Sequence, residues 1–230
     1  AALLFGFSSA LAGAMSIVGS PVPSQFMLML PYVVTLLAVA GLVGTALALA
    51  VGPELFVVGA AAIAAGWFYT GGPRPYGYAG LGEAFVFVFF GVVATAGSTY
   101  VQTGSPSVLG LGASVPVGLL ATSLLVVNNL RDIPGDTEVG KNTLAVRLGD
   151  LRTRYLYTAM MIATFACVPL VAGLSGRLFA SAALLAIFVG RRPVLAVLTG
   201  AKGPALIPVL GDTGKTQLAF GLLFTIGLSI

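Results

Sequence analysis

The sequence predicts an all-α fold, a polytopic bundle of transmembrane helices. Hydrophobic residues make up 58% of the 230 residues, and only 8% are charged, whereas a soluble domain carries roughly 25% charged residues. The mean hydropathy is +1.05. Long apolar runs also recur along the whole chain, separated by short polar connections. Because so few charges cannot cover a water-facing surface of this size, a soluble globular protein is excluded.

The first half of the chain contains four apolar runs. A membrane helix needs about 20 mostly apolar residues, and the first 53 residues contain no charge at all. Ala1–Met15 lacks the basic start and the cleavage pattern of a signal peptide, so we interpret it as part of a span. Three further spans are predicted at Tyr32–Val51, Leu55–Thr70 and Ala84–Tyr100.

The second half contains four more apolar runs. They are Val108–Val127, Tyr155–Leu174, Leu178–Val189 and Leu218–Ile230. Glycine and alanine are spread through these runs, as expected where small residues let membrane helices approach closely. We therefore predict seven to eight helices within one transmembrane domain that covers residues 1–230.

The basic residues fix a predicted orientation. The connections on one side, which we call the basic side, are Ser16–Pro31, Gly71–Glu83, Asn128–Arg154 and Gly190–Gln217. They hold ten of the eleven lysines and arginines, whereas the opposite side holds only Arg177. By the positive-inside rule, the basic side is cytoplasmic. The net charge of +4 is thus explained by topology, without a nucleic-acid partner.

Composition also excludes several chemistries. The chain has no histidine, which excludes histidine-ligated metals and every Ser-His or Cys-His nucleophile pair. The single cysteine, Cys167, lies in an apolar run, so neither an internal disulfide nor a cysteine-rich zinc site is possible.

Charge is concentrated in one segment, Arg131–Arg154, which holds nine of the eighteen charged residues. At a helix centre each charge costs about 2.5–3.5 kcal/mol, so this segment does not span. Asn128, Asp132 and Asp136 stand four residues apart, as on one helical stripe. We expect Pro134 to break or kink that helix, which would place Asp136 on a short loop or at the cap of a following turn.

This spacing interleaves carboxylates and cations. Asp132, Asp136 and Glu138 offer the oxygen ligands that Mg²⁺ takes in proteins together with substrate phosphates. Arg131 and Lys141 offer cations for phosphate oxygens. The combination favours a metal–diphosphate ligand. A structural ion-pair network is the alternative, which spacing alone leaves open.

A second polar segment, Trp67–Glu83, lies on the same side. Its aromatic residues fit an interfacial belt, and its glycines and prolines fit an ordinary turn. It also fits a pocket for a flat aromatic substrate, with the candidate lining residues Tyr69, Arg74, Tyr76, Tyr78 and Glu83. A third polar stretch, Gly200–Gln217, is predicted to be a solvated loop.

Three motifs carry a resemblance to a known family. Residues 128–149, NNLRDIPGDTEVGKNTLAVRLG, resemble the second aspartate-rich motif of UbiA-type intramembrane prenyltransferases. The sequence of this motif is most similar to that of the 1,4-dihydroxy-2-naphthoate prenyltransferases of bacterial menaquinone biosynthesis. Residues 69–83, YTGGPRPYGYAGLGE, resemble the substrate-side loop of that subfamily, and residues 206–210 resemble its late loop. The likeness runs from about Ser16 to the end of the chain.

The resemblance implies a fold and a reaction. Members form about nine transmembrane helices around a lipid-open cavity, in the bacterial plasma membrane, with cytoplasmic active-site loops. Mg²⁺ bridges the aspartates and an isoprenyl diphosphate, the C–O bond ionises, and the allylic cation meets an aromatic carbon. In the naphthoate subfamily CO₂ leaves, giving demethylmenaquinol.

The resemblance also assigns residues to roles. Asp132 and Asp136 would be the Mg²⁺ ligands, and they would form the catalytic group together with Lys141. The diphosphate would be held by Asn128, Asn129, Arg131 and Lys141. The aromatic acceptor would be faced by Tyr69, Arg74, Tyr76 and Glu83.

One departure from the family pattern concerns its other aspartate-rich motif. The corresponding connection, Ser16–Gln25, has no acidic residue, and Ser16–Ser20 resembles the stretch that follows that motif. We therefore expect that family residues before or at Met15–Ser16 are missing from this chain.

Two alternatives remain open. The same fold acts in related families on 4-hydroxybenzoate, homogentisate or haem, although those families do not share the 69–83 loop. A small membrane carrier is the non-enzymatic alternative. Against it, no predicted span has an ionisable residue near its middle, where transport sites normally lie.

Overall fold

The structure, a computed structural model, describes residue 38, residues 41–73 and residues 75–230. Within these residues it has seven helices and no strand, which confirms the predicted all-α class. The features predicted at residues 1–37, including the departure at Ser16–Gln25, lie outside the described residues, as does Arg74. The helices are α1 (Gly41–Val51), α2 (Glu54–Thr70), α3 (Gly82–Thr103), α4 (Val108–Glu138), α5 (Leu144–Ser175), α6 (Leu178–Leu198) and α7 (Ile207–Ser229).

Four of these helices, α3 to α6, are long and apolar enough to cross a membrane. Their outer faces carry large exposed hydrophobic side chains such as Leu170, Leu174, Phe179 and Phe188. An apolar surface of this extent is what a lipid environment accommodates and what water does not. The prediction of a multi-pass membrane protein is therefore confirmed.

The chain divides into two compact units, Ala1–Ala60 and Ala61–Ile230. The described part of the first unit comprises residue 38, α1 and the first turns of α2. The second unit holds the end of α2 and the helices α3 to α7. All of the contacts that follow lie within this second unit.

Two connections predicted as polar loops are largely helical. The stretch Asn128–Arg154 was expected to connect two spans, but α4 continues to Glu138 and α5 already begins at Leu144. Likewise, α6 and α7 occupy most of Gly190–Gln217 and leave residues 199–206 as the connection. Hydropathy marks where a span leaves the apolar layer, whereas helical hydrogen bonding continues into the polar layer.

The expected break at Pro134 is wrong. The helix α4 passes through both Pro116 and Pro134 and ends four residues after the second. A proline ring removes one backbone hydrogen bond, but here the flanking helical turns are maintained, so Asp136 stays on the helix and is buried. The chain leaves α4 through Gly140, whose φ of 71° is readily available to glycine.

The close crossing of α3 and α4 depends on two glycines. A Cβ atom at Gly91 would lie 2.5 Å from the Cα atom of Gly118, so the two backbones are nearly in contact. Gly91 lies within Phe87–Ala96, where α3 is wound as a π-helix. This crossing places the start of α3 against the polar half of α4.

A buried core joins α4, α5 and α7. It includes Leu120, Val127, Met161 and Phe220. A buried hydrogen bond of 2.7 Å joins the Tyr157 hydroxyl to Oγ1 of Thr213, which itself donates to the carbonyl of Val209. Tyr157 is therefore the donor, and the bond fixes the register of α5 against α7.

Candidate active site

The polar end of α4 carries the predicted stripe. Asn128, Asp132 and Asp136 all lie on this helix at four-residue spacing, and Nδ2 of Asn128 donates to Oδ2 of Asp132 over 3.3 Å. The helical stripe that the four-residue spacing indicated is thus present, and it includes Asp136, which was expected to lie beyond a break at Pro134. The stripe begins where the apolar part of α4 ends.

Arg131 pairs with its neighbour Asp132. Its Nε lies 2.7 Å from Oδ1 of the carboxylate and its Nη2 lies 2.8 Å from Oδ2, so the guanidinium binds both oxygens. Both side chains are about one third exposed. A bidentate pair of this kind orients the carboxylate and the cation toward the same patch of solvent.

Asp136 lies deeper and has two side-chain partners. Its carboxylate is 3.1 Å from Nζ of Lys141 and 3.5 Å from Oγ1 of Thr143, and only 8% of the residue is exposed. The backbone N–H of Lys141 also donates to the Asp136 carbonyl over 2.8 Å. Thr143 caps α5 by accepting a hydrogen bond from the N–H of Val146. The turn between α4 and α5 therefore holds Asp136 and Lys141 in one place.

The second polar segment packs on this turn. The Asn142 N–H donates to the Tyr78 carbonyl over 3.1 Å, and Nζ of Lys141 lies 5.6 Å from the centre of the Tyr78 ring. Gly80, at φ 71°, lies so close to Asn142 that a Cβ atom there would be 3.2 Å from its carbonyl oxygen. The structure thus brings together the two segments that sequence analysis identified separately.

A buried hydrogen bond reinforces this contact. Nδ2 of Asn129 donates to Oε1 of Glu83 over 2.9 Å, and the two residues are only 5% and 6% exposed. The resemblance assigned Asn129 to diphosphate binding and Glu83 to binding of the aromatic acceptor. The contact between these two residues was not predicted from the sequence.

The aromatic residues of the second segment form a cluster. Tyr69 and Tyr76 meet edge to face at 5.5 Å, Tyr76 stacks on Phe85 at 3.8 Å, and the Tyr76 hydroxyl donates to the Ala65 carbonyl over 2.7 Å. Burial raises the pKa of Tyr76, and Tyr69 raises it further, so its phenol stays protonated. Tyr69 also lies against the start of α3, because a Cβ atom at Gly82 would be 3.4 Å from its ring.

Two apolar cavities border this region, and both are lined by Val86 and Phe90 of α3. The larger, of about 620 Å³, lies between α2 and α3, and its polar lining is Tyr69 and Tyr76. The second, of about 550 Å³, lies between α3, α4 and α7, and its polar lining is Asn128 and Gln217. Gln217 was missed by sequence analysis, although a lone amide beside the apolar run that begins at Leu218 was a signal.

Arg154 has a different environment from the other basic residues of its segment. It is 4% exposed, and its guanidinium binds both carboxylate oxygens of Asp150 and the backbone carbonyls of Val197 and Ala201. It therefore anchors the end of α6 to α5. Its position in the predicted cytoplasmic connection did not reveal this structural role.

The donor set limits which metal site is possible. Among the described residues, no three acidic or cysteine side chains come together. The two carboxylates Asp132 and Asp136 fit an ion that takes one or two protein carboxylates and completes its shell with phosphate oxygens and water, as Mg²⁺ does. They do not form an all-protein cage.

The chain is similar to one known protein family and to several known proteins. The UbiA prenyltransferase family matches residues 19–207. A 1,4-dihydroxy-2-naphthoate octaprenyltransferase of Mycobacterium leprae is 44% identical over 212 residues, which cover 92% of this chain and 71% of the relative. A protein of the same name from Mycobacterium tuberculosis is 45% identical over 82% of this chain and 64% of its own length. One from Escherichia coli is 38% identical over 75% of this chain and 56% of its own length.

Proposed function

Because the chain belongs to the UbiA prenyltransferase family, we propose that it is a membrane enzyme that transfers an isoprenyl group from an isoprenyl diphosphate to 1,4-dihydroxy-2-naphthoate. The chain spans 71% of one relative and less than two thirds of two others, so the activity is proposed for the protein that contains this chain. The acceptor is taken from the names of those relatives.

The observation that carries the proposal is the position of the α4 stripe at the end of an apolar cavity. Asn128 lines the 550 Å³ cavity, whose other lining includes Leu124, Leu125 and Leu210, and Asp132 follows one turn later. An isoprenyl diphosphate is divided in the same way as this cavity and stripe, because it has a long apolar chain attached to a strongly charged head. We place its chain in the cavity and its head beside the stripe.

The two ion pairs of the site supply the charges that a diphosphate needs. In the described structure Arg131 pairs with Asp132, and Lys141 pairs with Asp136. With a metal–diphosphate ligand bound, Asp132 and Asp136 would ligate the metal, and Arg131 and Lys141 would bind the phosphate oxygens. Each charged side chain would then exchange one partner of opposite charge for another, so little buried charge would be left without a partner.

Asp132 and Asp136 would hold Mg²⁺, which would neutralise part of the diphosphate charge when bound. Arg131 and Lys141 would stabilise the negative charge that builds on the diphosphate as the allylic C–O bond breaks. The apolar cavity walls would exclude water from the resulting carbocation.

The acceptor would reach the cation from the aromatic side of the site. Tyr69 lines the 620 Å³ cavity together with Gly82, while Asn128 lines the other cavity. Gly82 and Asn128 directly precede the hydrogen-bonded Glu83 and Asn129, so the polar ends of the two cavities are neighbours. The new C–C bond forms at the ring carbon that bears the carboxylate, and this carboxylate leaves as CO₂ to give demethylmenaquinol.

Product mass spectrometry tests the proposal. Membranes containing the full-length protein would receive 1,4-dihydroxy-2-naphthoate, an isoprenyl diphosphate and Mg²⁺, with an EDTA control. We expect a Mg²⁺-dependent product that has gained the isoprenyl group and lost CO₂. A prenylated product from 4-hydroxybenzoate or homogentisate alone would change the acceptor. No product from any of these acceptors would favour a carrier.

A further inference from the structure

A separate cavity with basic walls lies between α6 and α7. It has a volume of about 300 Å³, and its lining residues are Phe188, Val189, Arg191, Arg192, Asp212 and Lys215. None of them lines the two cavities of the candidate active site. The cavity therefore needs an explanation of its own.

Positive charge in this cavity exceeds negative charge. Its one carboxylate, Asp212, already binds Nζ of Lys215 over 2.8 Å. Arg191 and Arg192 are exposed, and among the described residues neither makes an ion pair or a hydrogen bond. Two guanidinium groups are thus available to a ligand, and together they offer planar donor forks that match phosphate oxygens.

The surroundings of the cavity are apolar. Phe188 is 66% exposed at its edge, and Leu185, one turn before Phe188 on α6, is 58% exposed. Arg191 and Arg192 lie near the end of α6, and Asp212 and Lys215 lie near the start of α7, so all four lie toward the basic side. A ligand here would contact cations at its head and exposed hydrophobic side chains beside it.

We propose that this cavity binds the phosphate head of an anionic phospholipid, with Arg191 and Arg192 holding the phosphate and Phe188 and Leu185 contacting the acyl chains. Basic pockets between membrane helices on the cytoplasmic side suit anionic headgroups. A free phosphate ion offers the same oxygens but gains nothing from the apolar rim, so the lipid is the favoured occupant.

Native mass spectrometry of the full-length protein tests this site. The protein would be released from mixed micelles that contain equal amounts of phosphatidylglycerol and phosphatidylcholine. We expect wild-type protein to retain phosphatidylglycerol preferentially, and the R191Q/R192Q variant to lose about tenfold or more of that preference. Arg152→Gln, which removes an exposed arginine elsewhere on the basic side, is the matched control and is expected to retain it.

Three outcomes would overturn the proposal. The first is an equal loss of preference in the control, which would indicate general surface charge. The second is displacement of the lipid by millimolar inorganic phosphate, which would indicate a phosphate-ion site. The third is retention of the preference by R191Q/R192Q. The charge-conserving R191K/R192K variant guards against misfolding, since it is expected to retain most of the preference if the cavity recognises an anionic head.

Discussion

The carboxylate of Glu83 accepts a 2.9 Å hydrogen bond from the side-chain amide of Asn129, which lies 46 residues further along the chain. Both residues are almost completely buried. Glu83 lies in the first turn of α3, and Asn129 lies in the polar half of α4, one residue after Asn128 and two before Arg131. The bond therefore holds the 76–83 turn against the helix that carries the acidic stripe.

Removal of this amide is expected to destabilise the protein. Asn129→Ala would leave the buried Glu83 carboxylate without the side-chain amide that donates to it, at a cost of about 1–3 kcal/mol. Glu83→Gln keeps an acceptor oxygen and is expected to cost less. Thermal unfolding of the purified protein in detergent measures both, with Asn142→Ala as control, because the Asn142 side chain is exposed and only its backbone is used. Equal melting temperatures for Asn129→Ala and the control would contradict this role.

Loss of either stripe carboxylate is expected to abolish turnover without unfolding the protein. Asp132→Asn and Asp136→Asn each remove a proposed metal ligand, and we expect the rate of product formation to fall at least about 100-fold. Glu54→Gln, at the start of α2 on the predicted opposite side, is the matched control. Normal turnover of Asp132→Asn at ordinary Mg²⁺ concentration would remove this residue from the site.

Lys141 is expected to act on diphosphate binding more than on folding. Lys141→Gln removes a charge that contacts both Asp136 and the Tyr78 ring, and we expect the KM for isoprenyl diphosphate to rise about tenfold. Lys141→Arg is expected to recover most of the affinity because it keeps the charge. Lys202→Gln loses an exposed charge on the same side and serves as control. An unchanged KM in Lys141→Gln would assign the lysine to a structural ion pair alone.

Sequence reasoning gave the helical class and the acidic stripe, because both depend on local spacing. A run such as Val108–Val127 must be helical in lipid, and Asp132 and Asp136 must share a face if the helix continues. The helix ends were not predictable in the same way, because charged residues end the apolar span but do not end the backbone hydrogen bonding of the helix. The Glu83–Asn129 bond and the burial of Arg154 depend on how distant segments pack, which no local pattern records.

The orientation drawn from the basic residues is testable by labelling. In a Cys167→Ser background, a cysteine at the exposed Ala79 is expected to react with a membrane-impermeant thiol reagent only from the cytoplasmic side. A cysteine at the exposed Ser105, in the connection between α3 and α4, is expected to react only from the other side. Labelling of both positions from the same side would contradict the predicted topology.

A methyl group added at the Gly91–Gly118 crossing is expected to destabilise the protein. A Cβ atom at position 91 would lie 2.5 Å from a backbone Cα atom, a separation that real structures do not show, so Gly91→Ala must push α3 away from α4. Overpacking of this kind costs about 1–3 kcal/mol. It would also displace the start of α3, and with it Glu83, from the acidic stripe.

Gly97→Ala is the matched control for this crossing, because it adds the same methyl group to the same helix where no atom lies within 4 Å. We expect Gly91→Ala to lower both the melting temperature and the turnover, and Gly97→Ala to leave both near wild type, since alanine is also the better helix former. The second glycine gives an independent check. A Cβ atom at Gly118 would be 2.9 Å from the Phe87 ring and 3.1 Å from the Cα atom of Gly91. Both distances are longer than the 2.5 Å at position 91, so Gly118→Ala is expected to cost less than Gly91→Ala. If Gly91→Ala and Gly97→Ala melted alike, α3 and α4 would not cross this closely, and the placement of Glu83 beside Asn129 would lose its support.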